Sequence, residues 1–164
     1  MLETVLEKEG LGPGGCARLA ARGSFGRMTR HVVAPVAEIP PGGRRLISIG
    51  GRSIGIFNLG GAFYALLNRC PHQGGSLCLG EQVGLVLSNE PGQYLYSRPG
   101  EMLRCPWHGW EFDIRTGQSW CDPRRTRAKS YPAGIEAGAE LVKGPYQAEI
   151  VPLSVEADYV VVEV

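Results

Sequence analysis

The stretch Arg44-Arg-Leu-Ile-Ser-Ile-Gly-Gly-Arg-Ser-Ile-Gly-Ile-Phe-Asn-Leu-Gly-Gly-Ala-Phe-Tyr-Ala-Leu-Leu67 decides the fold class. Three short runs rich in β-branched and aromatic residues, 44–49, 53–58 and 62–67, are separated by Gly50-Gly51 and Gly60-Gly61. Gly-Gly pairs at that spacing tolerate the positive φ angles of tight hairpin turns and predict a three-stranded meander. Its last strand delivers the chain directly to Asn68-Arg-Cys-Pro-His72.

Working outward, His31-Val-Val-Ala-Pro-Val-Ala-Glu-Ile39 alternates around Pro35, whose missing N–H marks an edge strand. At the far end Glu140–Lys143, Tyr146–Val151 and Asp158–Val164 read as further strands. The last is a continuous apolar run, expected to be central or buried on both faces. No helical period persists beyond about two turns after residue 30. Residues 1–29 differ: Gly10-Leu-Gly-Pro-Gly-Gly15 interrupts any helix, and the segment is expected to be a flexible N-terminal extension. The organisation predicted is one all-β domain over residues 30–164.

Composition agrees with that reading. A chain of 164 residues has room for one ordinary domain, and 24 Gly with 12 Pro suit many short strands joined by turns. The formal charge of +1 gives no field to attract nucleic acid or an anionic membrane. No apolar run approaches the roughly 20 residues of a membrane span, and the N-terminus lacks an export signal, so a cytoplasmic location is expected.

Of the five Cys and three His, two of each fall in two short segments, Cys70-Pro-His72 and Cys105-Pro-Trp-His108. Each offers one thiolate and one imidazole, the ligand classes of zinc, copper and iron–sulfur centres. A structural zinc site would gather all four side chains in one tetrahedron, although pairs spaced two to four apart are more usual for it. That reading makes the chain a zinc-stabilised interaction module without redox activity. A visible spectrum separates the two, because zinc leaves a protein colourless.

The pattern Cys-Pro-His-Gln-Gly-Gly at 70–75, followed by Cys-Pro-Trp-His-Gly-Trp-Glu-Phe-Asp at 105–113 and Thr116-Gly117, resembles the two cluster-binding loops of Rieske [2Fe–2S] proteins. In that family two cysteines hold one iron and two histidines the other. The resemblance implies one [2Fe–2S] cluster on Cys70, Cys105, His72 and His108, with binding loops at 70–78 and 105–113. It also implies an antiparallel β-sandwich or barrel carrying a small cluster-binding subdomain.

Departures from the respiratory type narrow the expectation. That type resembles Cys-x-His-x-x-Cys and Cys-Pro-Cys-His-Gly-Ser, with a disulfide bridging the loops; those two positions here are Gly75 and Trp107. Its serine and tyrosine hydroxyl donors to the cluster are replaced by Trp110 and Phe112. Hydrogen bonds to cluster sulfur stabilise the reduced state, so the potential is expected toward the roughly −150 mV end of the Rieske range.

A terminal oxygenase would also need a mononuclear iron on two His and a carboxylate, and only His31 is left over. The resemblance therefore implies an electron-transfer component rather than a self-sufficient enzyme. Its partners would be a flavin-containing NAD(P)H reductase and a terminal oxygenase or reductase. The small subunit of a nitrite reductase is the alternative within the family, and a redox-sensing subunit a further one.

Four weaker features remain. The 32 residues between His72 and Cys105 exceed what oxygenase-type ferredoxins carry, and about 84–100 reads as an inserted hairpin, Leu85–Leu87 and Tyr94–Tyr96 around Glu90-Pro-Gly92. Cys16, Cys78 and Cys121 read as buried or idle thiols. Trp107 and Trp110 are expected to pack over the cluster and exclude water. Arg124, Arg125, Arg127 and Lys129 form a basic stretch suited to an acidic partner.

Overall fold

The computed structural model describes residues 29–141, 143, 154 and 156–164. Of the extension expected over 1–29, residues 1–28 lie outside the described residues, as does the expected strand Tyr146–Val151, while Thr29 exchanges backbone hydrogen bonds with Val164. The elements in order are β1 (Arg30–Pro35), β2 (Arg44–Ile49), β3 (Arg52–Leu59), β4 (Ala62–Leu67), β5 (Glu81–Leu87), β6 (Leu95–Arg104), β7 (Glu111–Asp113), β8 (Ser130–Tyr131), β9 (Ala133–Ala137), a helical turn α1 (Gly138–Leu141) and β10 (Asp158–Glu163). All named strand pairs are antiparallel, in three sheets ordered β1-β10-β9, β2-β3-β4-β8 and β5-β6-β7.

The meander forms as its sequence predicts, with Ile47 opposite Ile54 and Ile56 opposite Ala65. Its two hairpin turns place both glycines of each pair at positive φ. Because side chains alternate across a strand, β3 and β4 serve as a wall with two apolar faces. Ile54, Ile56, Phe63 and Ala65 pack with Val33, Ala34, Val160 and Val162 of the β1-β10-β9 sheet. Phe57 and Leu66 point the other way and pack with Leu77, Cys78, Leu103, Phe112 and Ile114. That second core fixes the subdomain bearing the Cys and His loops onto the body. Gly55 allows the approach, since a Cβ there would stand 2.6 Å from the Cys78 sulfur.

The apolar run at the C-terminus is the central strand of its sheet, with Tyr159 to Val162 all buried. β1 lies at the sheet edge as Pro35 requires, and ends there; Val36–Glu38 turn in a single 3₁₀ turn instead of extending the strand to Ile39. A further correction concerns Glu140–Lys143, read as a strand. The chain makes the helical turn α1 instead, closed by Lys143 N–H donating to the Glu140 carbonyl. Gly138 permits the close approach of the Ser154 backbone to this turn, because a Cβ would meet the Ser154 carbonyl at 1.9 Å.

The inserted hairpin is present and longer than expected, pairing Leu85 with Ser97 and Leu87 with Leu95 at its tip and Glu81 with Arg104 at its base. Between tip and base the register jumps, so that Arg98-Pro-Gly-Glu101 bulges from β6. Arg98 sits at φ 51°, an uncommon value for a side-chain-bearing residue. Its guanidinium bonds Glu101 at 2.7 Å and the buried carboxylate of Asp113 at 2.5 Å, tying the insertion to β7.

Candidate metal centre

Two loops carry the site, and they close identically. In the first, Cys70 N–H donates to the Gly75 carbonyl at 2.7 Å, and Gly74 N–H donates to the Cys70 carbonyl at 2.8 Å. In the second, Cys105 N–H donates to the Trp110 carbonyl at 2.8 Å, and Gly109 N–H to the Cys105 carbonyl at 3.0 Å. The fifth residue of each turn must be left-handed, and glycine fills it, with φ +83° at Gly74 and +69° at Gly109. Within this shared frame the histidine is third in one loop and fourth in the other.

The structure arranges the four predicted residues as two neighbouring pairs, one of thiols and one of imidazoles. Cys70 and Cys105 are the inner pair, exposed by only 3% and 2%. Burial pushes the Cys70 thiol above its ordinary range, partly offset by a hydrogen bond from the His72 backbone; the adjacent Cys105 thiol adds to the rise. His72 and His108 are the exposed outer pair, their ring centroids 5.0 Å apart and their planes at 83°. Among the described residues, no three His, Cys, Asp or Glu side chains converge on a single ion position.

Two tryptophans frame the pairs in different ways. Trp110 stacks on His72 at 4.4 Å with planes 12° apart, and meets Phe112 on its other side. Trp107 is 60% exposed, so it does not seal the centre from water as its sequence position suggested. Its ring instead lies over Gly75, where a Cβ would stand 2.9 Å from the indole and 3.3 Å from the Cys105 sulfur. The two positions that resemble disulfide partners in the respiratory type are thus in contact here, as an indole on a glycine. Any side chain at position 75 would press on both the indole and the Cys105 sulfur, so glycine is required there.

Behind the second loop, Asp113 accepts from the N–H groups of Arg115 and Thr116 at 2.8 and 3.0 Å, and Gly117 N–H donates to the Asp113 carbonyl at 2.7 Å. The Arg98–Asp113 link escaped the sequence reading; the only signal for it is the turn-like Arg98-Pro-Gly100 inside a strand pattern. Gly80 adds a second brace, since a Cβ there would meet the Arg104 carbonyl at 1.9 Å, next to Cys105.

Cys78 and Cys121 are not part of the centre. Cys78 is fully buried with its pKa pushed up to about 12, chiefly by burial, and its sulfur lies 3.6 Å from the Leu66 carbonyl. Cys121 is exposed and unpaired, and Cys16 lies outside the described residues. His31 pairs across the ladder with Val162, away from both loops. Arg124, Arg125, Arg127 and Lys129 are all exposed. No helix among the described residues is long and apolar enough to cross a membrane.

A β body with two buried thiols beside two exposed imidazoles is the arrangement of an iron–sulfur protein of mixed Cys and His ligation. The Rieske [2Fe–2S] domain model matches residues 29–132, and the chain belongs to that family. The family carries one [2Fe–2S] cluster, and the donor set of two buried thiols and two exposed imidazoles fits it. The 3-phenylpropionate/cinnamic acid dioxygenase ferredoxin subunit of Escherichia coli strain K12 is 31% identical over 111 residues, covering 68% of this chain and 90% of the relative. The corresponding subunit of Shigella boydii is 30% identical over 109 residues, covering 66% and 88%. Among solved structures, the ferredoxin of carbazole 1,9a-dioxygenase from Nocardioides aromaticivorans IC177 aligns with a TM-score of 0.50 at 22% identity, covering 66% of this chain and 90% of that one. A chain in the reduced complex between oxygenase and ferredoxin in carbazole 1,9a-dioxygenase aligns with a TM-score of 0.52 at 18% identity, covering 82% and 28%. These structural likenesses concern the fold.

Proposed function

We propose that this chain is the ferredoxin component of an oxygenase system, accepting single electrons from a flavin-containing NAD(P)H reductase and passing them to a terminal oxygenase. The observation that carries the reading is the polarity of the site. Cys70 and Cys105 are buried while His72 and His108 face solvent, so a docked protein would meet the imidazole edge first. The curated relatives, named as dioxygenase ferredoxin subunits, support the same assignment.

In this reading Cys70 and Cys105 hold one iron as thiolates, and His72 and His108 hold the other. When bound, the cluster supplies reversible one-electron chemistry. The chain's own residues do the rest. The matched loop closures hold each Cys and His in register, Trp110 restrains the His72 ring, and the Leu103–Phe112 core keeps water from the sulfurs. Trp110 and Phe112 bring no hydroxyl to the cluster, which supports a low potential. The domain is taken as residues 30–164, because β10 completes the sheet that β1 begins.

Stopped-flow mixing of the reduced protein with a ring-hydroxylating oxygenase from the same source tests the assignment. Reoxidation on the timescale of turnover is expected. A cluster that reduces and reoxidises with small reagents but exchanges no electrons with oxygenase or reductase would refute it.

A further inference from the structure

Away from the sulfurs, the Gly50-Gly51 turn, the end of β4 and the approach to β8 enclose an open pocket of about 370 Å³, lined by residues including Arg52, Arg69, Lys129 and Tyr131. Three cations and no acidic side chain line it. None of the three has an ion-pair partner among the described residues, whereas Arg30, Arg45, Arg98, Arg104 and Arg115 all do. The chain as a whole carries a charge of only +1, so this concentration is local.

The frame is preformed. Asn68 N–H donates to the Ser53 carbonyl and Leu67 N–H to the Lys129 carbonyl, both at 2.8 Å, joining the three segments that supply the cations. The Lys129 ammonium is held 5.1 Å from the Tyr131 ring centroid. Unpaired cations gathered around one pocket repel one another, and a bound anion relieves that repulsion.

We propose that this pocket binds a small multivalent oxyanion, a polycarboxylate or a phosphoryl compound, gripped by Arg52, Arg69 and Lys129. Guanidinium forks match carboxylate and phosphate oxygens in pairs, and Lys129 adds a point charge between them. The pocket adjoins the first ligand loop, since Arg69 precedes Cys70 and its guanidinium lies beside Gly74, but the proposed binding does not depend on what the centre transfers.

Calorimetric titration of the full, cluster-loaded chain at fixed ionic strength tests it, with citrate and inorganic pyrophosphate as separate probes. Saturable one-to-one binding with a dissociation constant of roughly 1 mM or tighter is expected for at least one probe. The tighter probe assigns the class. Arg52→Gln alone should weaken binding about threefold, and the triple variant Arg52→Gln/Arg69→Gln/Lys129→Gln at least about tenfold, while Arg124→Gln/Arg125→Gln stays within about twofold. No saturation with either probe up to about 50 mM would overturn the site. So would an equal loss in the Arg124/Arg125 variant, which would mean diffuse charge. The visible spectrum of each sample reports the cluster independently, so its failure is not confused with that of the pocket.

Discussion

The indole of Trp110 lies parallel to the imidazole of His72, 4.4 Å away and 12° from coplanar, while the backbone carbonyl of the same tryptophan closes the loop on Cys105. One residue therefore couples the two loops. Its backbone shapes the second, and its ring restrains the histidine of the first. Replacing Trp110 with alanine should leave the body folded, lose about 1 kcal/mol of ring stacking, and speed loss of iron on dilution into chelator. Trp110→Phe should recover most of the retention. Iron release followed by absorbance checks both.

Trp107 and Gly75 occupy contacting positions on opposite loops. A Gly75→Cys/Trp107→Cys pair should form a disulfide when oxidised, detectable as a linked peptide by mass spectrometry, and stabilise the chain by about 2–4 kcal/mol. Reduction should abolish the gain. Failure to cross-link would mean that the loops are not in this register.

Asp113 holds both Arg98 and the turn at Arg115-Thr116. Asp113→Ala removes both side-chain acceptors and should cost about 2–3 kcal/mol, while Asp113→Asn keeps an acceptor for the turn and should cost about 1 kcal/mol. Arg98 is a third exposed, so Arg98→Gln belongs with the smaller loss. Urea denaturation of the three variants gives the order directly.

Gly80 faces the Arg104 carbonyl at 1.9 Å from where a Cβ would stand, and backbone cannot yield as a flexible side chain can. Gly80→Ala should destabilise by at least about 2 kcal/mol and lower iron content, because Arg104 adjoins Cys105. Gly100→Ala, with open space around it but positive φ, should cost only about 1 kcal/mol.

Cys78 should be inert to thiol reagents in the folded protein at pH 8, whereas exposed Cys121 reacts. Its pKa is about 12 when folded and 9.0 in the free thiol. The native state thus keeps a proton that the unfolded chain releases, and this contribution to stability falls as pH rises from about 9 toward 12. Cys78→Ala should flatten stability against pH across that window. An unchanged slope would show that the thiol is not held this way.

The sequence displayed some of this more readily than the rest, for physical reasons. The meander was legible because alternation and Gly-Gly turns are local, and β10 because four apolar or aromatic residues in a row, Tyr159 to Val162, need two-sided burial. β7 and β8, three and two residues long, are too short to show a period. β9, Ala133-Gly-Ile-Glu-Ala137, has one β-branched residue and is held by its neighbour. The Cys and His segments stood out in the sequence, but taking these four residues as one ligand set rested on the family resemblance and not on spacing. The Trp110 stack and the exposure of Trp107 were not, because the direction of each ring depends on two loops meeting. Glu140–Lys143 misled because a short apolar run does not distinguish a strand from one helical turn.

The central claim is that Cys70, Cys105, His72 and His108 hold one [2Fe–2S] cluster. Electron paramagnetic resonance of the dithionite-reduced protein, with pulsed detection of nitrogen couplings, tests it most directly. The account predicts a mixed-valence signal of one spin per chain, coupled to two imidazole nitrogens and altered in His72→Cys and His108→Cys. A colourless, silent protein containing zinc, or a cluster signal without nitrogen coupling, would contradict it.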